Sequence, residues 1–79
     1  MNNSEKYNQT FMDIFQVGED VLSTLKYQQV ELWDSVGHMA LIAALEEAFD
    51  IMMETEDIID FSSYEKGKSI LTEKYGIDF

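Results

Sequence analysis

Between Asp34 and His38 the chain brings a carboxylate, a hydroxyl and an imidazole close together: Asp34, Ser35 and His38. Two chemistries could use that set. As acid, nucleophile and base the three would suggest a hydrolytic triad. A triad also needs a strand-turn-helix elbow, an oxyanion hole and a domain large enough to enclose a substrate, and none of these is readable here. His38 is expected instead as a packed or capping imidazole in the first turn of a helix, with no catalytic residue in the chain. The second chemistry needs only the serine. A helix opening at Asp34-Ser35 leaves its first backbone N–H groups without internal partners, and its dipole favours negative charge. A phosphodiester carried on Ser35 would be stabilised there. Asp-Ser before a helix is also an ordinary N-cap, and the pair alone does not separate the two uses.

The remaining chemistry is defined largely by what is missing. Among 79 residues there is no cysteine and a single histidine, which removes disulfides, zinc-thiolate sites, thiol nucleophiles and paired-His metal sites. The acids Glu54, Glu56, Asp57 and Asp60 lack the Asp-x-Asp-x-Asp-Gly spacing of a calcium loop, so no metal site is expected. Sixteen acids against 5 bases give a formal charge of −11, which argues against a phosphate backbone as partner and favours basic protein surfaces. No basic region followed by an apolar run opens the chain, and no apolar stretch has the length of a membrane span. A cytoplasmic protein is the expectation.

The elements that must position Ser35 are helical. Apolar residues make up 46% of the chain, enough for a core despite the charge. With no proline, repeat or linker, residues 1–79 read as one domain. Tyr7, Phe11, Ile14 and Phe15 fall on one face of a first helix, capped between Asn2 and Ser4 and stopped near Gly18. Residues 19–33 read as a loop with a short helical turn, anchored by Trp33. Capped by Asp34 or Ser35, the strongest helix runs from Val36 through Phe49 and ends near Asp50, with Leu41, Ile42, Ala44, Leu45, Ala48 and Phe49 on its inner arc. Val36, Met39, Ala40 and Ala43 lie between that arc and the acids Glu46 and Glu47. Thr55–Phe61 is a short helix. Ser62 and Glu65 predict a capping box for a last helix that ends at Gly76, with Tyr64, Lys68, Leu71 and Tyr75 along one side. The fold class is therefore all-α: a small four-helix bundle of three principal helices and one short helix. Its core is expected to draw on Ala43, Ala44, Leu45, Phe49, Ile59 and Leu71. Met12, Met39, Met52 and Met53 are candidates for an adaptable lining.

The string Leu32-Trp33-Asp34-Ser35-Val36-Gly37-His38-Met39, continuing through Leu45-Glu46-Glu47-Ala48-Phe49, resembles the acyl carrier proteins, and the likeness covers essentially the whole chain. That resemblance implies a 4'-phosphopantetheine arm joined covalently to Ser35, with acyl groups carried on it as thioesters. It also implies a non-catalytic monomer that serves a phosphopantetheinyl transferase and acyl-loading and acyl-processing enzymes with basic docking surfaces. Asp34, Val36, Met39, Ala43, Glu46 and Glu47 would form the recognition surface. Val36 replaces the usual leucine, while Gly37 and Ala40 stand where acids are common. Leu25–Trp33 and Gly37-His38-Met39 look more like stand-alone carriers of specialised pathways, such as glycan or natural-product assembly, than like carriers of primary fatty acid synthesis. Two alternatives stand beside an acyl carrier: an aminoacyl or peptidyl carrier, and an acidic helical interaction module with no prosthetic group.

Overall fold

A computed structural model describes all residues from Met1 to Phe79. The chain folds as α1 (Asn3–Phe15), a 3-10 helix (Glu19–Thr24), α2 (Ser35–Phe49), α3 (Thr55–Asp60) and α4 (Tyr64–Tyr75). It is a small all-α bundle. The first helix starts where its cap chemistry allows: the Asn2 side chain accepts from the Glu5 N–H at 2.8 Å, and the Glu5 carboxylate accepts from the Asn2 N–H at 3.1 Å. Two orphan donors are satisfied reciprocally. The helix ends earlier than glycine placement predicts, because Gln16 takes the left-handed conformation (φ 57°) and returns its N–H to Met12. Gly18 instead precedes the 3-10 helix.

The start of α4 also departs from the sequence expectation. Ser63, not Ser62, is the N-cap, and its hydroxyl accepts from the Lys66 N–H at 3.0 Å. Ser62 is committed elsewhere. Its carbonyl accepts from the Tyr27 N–H at 2.9 Å, and the Tyr64 N–H donates to the Leu25 carbonyl at 3.0 Å, so the loop before α2 is stitched to the chain entering α4. This pairing fixes the approach to Ser35. Gly76 ends α4 as predicted, at φ 67°.

Phe11 sits at the middle of an aromatic core, with ring centroids 4.9 Å from Tyr7, 5.8 Å from Phe15, 5.6 Å from Trp33 and 5.3 Å from Tyr64. Tilted and edge-on contacts of this kind add to the burial of large apolar surfaces. Tyr7 donates its hydroxyl proton to the Tyr64 carbonyl at 2.7 Å, and burial holds its phenol well above the usual titration range. From α2 the buried residues are Leu41, Ile42 and Leu45, with Ala44, Ala48 and Phe49 partly covered. Two expected core residues are absent from it: Ala43 is exposed, and Ile59 is 74% exposed. Nor do the methionines form one lining, since Met53 is buried and Met12 half-buried while Met39 and Met52 are exposed, at 52% and 86%.

Candidate functional site

Asp34 is the N-cap of α2. Its carboxylate accepts from the Gly37 N–H at 2.8 Å, and its carbonyl accepts from the His38 N–H at 2.8 Å. Ser35 is therefore the first residue inside the helix rather than its cap. It is exposed, its hydroxyl makes no hydrogen bond within the chain, and its own N–H and that of Val36 are left without partners. A negatively charged substituent on this oxygen would meet two free donors and the positive end of the helix dipole.

Gly37 explains how close the preceding loop comes. A Cβ at this position would overlap the carbonyl oxygen of Leu32, so the chain entering α2 lies against the bare Cα of the helix's first turn. A larger side chain has no room here.

His38 does not serve Ser35 as a base. The indole N–H of Trp33 donates to His38 Nδ1 at 2.9 Å, and His38 Nε2 lies 2.8 Å from the Ile58 carbonyl oxygen. An indole N–H can only donate and a carbonyl can only accept, which fixes the tautomer: Nδ1 accepts and Nε2 carries the proton. Both nitrogens are thus occupied by structural partners. Trp33 is fully buried, stacks on Phe15 at 4.8 Å and anchors the loop, as the sequence predicts.

Beside Ser35 runs an open cleft of about 330 Å³, lined by Tyr27, Ser35, His38, Met39, Ile58, Ile59 and Phe61. Most of that lining is apolar. Val36 (79% exposed), Ala40, Ala43 and Glu47 follow one another along the outward face of α2, with Met39 (52% exposed) turned toward the cleft. Five of the six recognition residues expected from sequence, Asp34, Val36, Met39, Ala43 and Glu47, are therefore solvent-accessible along this helix.

Glu46 is the sixth, and it has a structural task. Half-buried, its carboxylate accepts from the Met53 N–H at 2.8 Å and ties the segment after α2 back to the helix. A second acid has a role the sequence reading missed. Asp57 is buried, its carboxylate accepting from Lys74 Nζ at 2.8 Å and from the Tyr75 hydroxyl at 2.7 Å. The Tyr75 hydroxyl in turn accepts from the Glu54 N–H at 2.8 Å. These bonds, led by that from Lys74, hold the Asp57 carboxyl below its ordinary range. Asp57 belongs to a clasp between α3 and α4, not to a solvated acidic run. No three His, Cys, Asp or Glu side chains converge as a metal site would require.

No family model, curated protein or solved structure matches this chain. No helix is long and apolar enough to cross a membrane.

Proposed function

We propose that this chain is an acyl carrier, with a 4'-phosphopantetheine arm attached through a phosphodiester to Ser35. The observation that carries the reading is the state of Ser35 itself: an exposed, unpaired hydroxyl in the first turn of α2, beside two free backbone donors, its own N–H and that of Val36, while Asp34 does the capping. A serine spared from capping is available for modification without loss of the helix. The fit is chemical as well as steric, since the Ser35 and Val36 N–H groups would hold the phosphate oxygens. When attached, the arm supplies the thiol that a chain without cysteine lacks, and acyl groups are held on it as thioesters.

The chain's own residues then position and present the arm. Asp34 and the Leu32–Gly37 contact fix the direction in which Ser35 faces. Met39 and Ile59 offer apolar surface beside it. The exposed Val36–Ala43 face gives a partner enzyme an apolar centre, and Glu47 with the chain's net charge of −11 favours a basic surface around it. The partners proposed are a phosphopantetheinyl transferase and the enzymes that load and process the acyl group, in fatty acid, glycan or natural-product assembly.

Incubation with a promiscuous phosphopantetheinyl transferase and coenzyme A, followed by intact mass, tests this directly. One added phosphopantetheine on the wild type and none on Ser35→Ala is the expected result. An unmodified wild type leaves the rival standing, an acidic helical module that binds basic partners through the same face. Ser35→Ala should keep its fold, because the capping side chain is Asp34 and alanine has the higher helix propensity.

A further inference from the structure

The two long sides of α3 are held very differently. Toward α4 it is fastened by the Asp57 clasp, with Lys74 and Tyr75 both donating to one buried carboxylate and Tyr75 accepting from Glu54. Toward α2 a single hydrogen bond crosses, from His38 Nε2 to the Ile58 carbonyl. The cleft beside Ser35 lies at this weakly held seam, with Met39 on one wall and Ile58 and Ile59 on the other. The imidazole is packed among aromatic side chains, Trp33 parallel to it at 6.2 Å and Phe61 edge-on at 6.1 Å, both buried, and Phe61 lines the cleft with it.

We propose that His38 is a positioning residue, a latch that holds α3 against the first turn of α2 and keeps the cleft beside Ser35 from opening. Resting on the carrier reading, this limits how far an acyl chain enters between Met39 and Ile59 while α3 is held in place. The imidazole suits the task because each nitrogen has one role and one partner, so the ring cannot turn without breaking both bonds. A longer chain would have to displace the ring from Trp33 or lift α3 from α2. The clasp to α4 lets α3 swing at one edge while remaining attached at the other.

The test has one arm that needs no prosthetic group and one that does. In the unmodified protein, amide hydrogen exchange at Ile58 and Phe61, whose N–H groups donate to the Glu54 and Asp57 carbonyls at the two ends of α3, is compared among wild type, His38→Ala and His38→Gln. Loss of one net hydrogen bond corresponds to about fivefold faster exchange. We expect that acceleration in His38→Ala, confined to α3 and absent from α1. Glutamine carries an acceptor and a donor at its tip and should restore slow exchange, which loss of general packing would not explain. In the modified protein, melting temperatures are read for butanoyl, octanoyl and dodecanoyl forms. Wild type and His38→Gln should gain with butanoyl and gain nothing more with octanoyl or dodecanoyl, whereas His38→Ala should continue to gain through octanoyl. A wild type that gains steadily to dodecanoyl overturns the restriction on cargo, even if the alanine variant fails to fold. Unchanged α3 exchange in His38→Ala overturns the latch. Failure of the transferase to add any arm defeats the carrier reading instead, and the exchange measurement then decides the latch by itself.

Discussion

The carbonyl oxygen of Leu32 occupies the space into which a Cβ on Gly37 would project. Helix propensity alone would make Gly37→Ala stabilising by about 1 kcal/mol. The overlap is with backbone, which cannot rotate away as a side chain can, and overpacking of this kind costs about 1–3 kcal/mol. Gly37→Ala is therefore expected to destabilise the protein by about 1 kcal/mol, lowering Tm by about 4–8 °C for a chain of this size. Denaturant unfolding of the variant checks the sign. A gain in stability would show that the Leu32–Asp34 loop yields freely.

The Asp57 clasp gives the stability a defined pH dependence. Because the folded carboxyl titrates below its unfolded value, the bound state of Asp57 contributes stability that is fully present above about pH 4 and is lost as pH falls through the depressed value. The same logic with opposite sign applies to Lys74 and Tyr75, both raised: their contribution stands below about pH 10 and fades as pH rises further. Asp57→Asn should melt below wild type across the neutral range, with the gap closing as pH drops below about 4. A gap of constant size at all pH values would remove the ionised carboxylate from the explanation.

Charge repulsion acts in the other direction and follows from how the few cations are used. Of the 5 basic residues, Lys74 is bound to Asp57, Lys6 lies 5.9 Å from the Phe49 ring centre, and Lys68 lies 5.1 Å from that of Tyr64. Most of the 16 acids have no partner. Added salt or millimolar-scale divalent ions should therefore raise Tm, steeply at low ionic strength and little beyond about 0.15 M, where screening reaches about 8 Å. Calorimetry across a salt series gives the answer, and a flat Tm would mean that repulsion does not limit stability.

What was legible in the sequence divides along a physical line. The limits of α2 were readable because Asp34 and Asp50 are local signals that act on neighbouring backbone, and the inner arc of Leu41, Ile42 and Leu45 follows from helical periodicity. The place of Ser35 in the first turn was readable for the same reason. Features set by distant partners were not readable. Ser62 resembles a cap until Tyr27 claims its carbonyl, and Gly18 resembles a stop until Gln16 turns left-handed first. Glu46 and Asp57 look like two more surface acids in an acidic chain, and only the positions of Met53, Lys74 and Tyr75 assign them their tasks. Ile59 carried an apolar signal with the wrong address, since a helix of one and a half turns has little periodicity with which to point it inward.

The distinction between Glu46 and Glu47 changes how partner recognition must be tested. Reversing both would conflate two effects, because Glu46→Lys removes the acceptor for the Met53 N–H. That loss should cost about 1–3 kcal/mol and loosen the segment leading into α3. Glu47 is exposed, and Glu47→Lys should change stability by no more than about 0.5 kcal/mol. It lies about 18 Å along the helix from Ser35, too far to touch a phosphate on the serine but within the footprint of an enzyme docked on α2. Under the carrier reading, Glu47→Lys should slow modification of Ser35 mainly through the association rate, and the deficit should shrink as salt is added. Ala43→Glu, on the same exposed face, should also slow modification but keep its deficit in salt, since it disturbs the apolar centre of the contact. Transferase kinetics at two ionic strengths separate these patterns. If Glu47→Lys loads at the wild-type rate in low salt while Ala43→Glu does not, docking depends on the apolar stripe alone and the acid takes no part in steering.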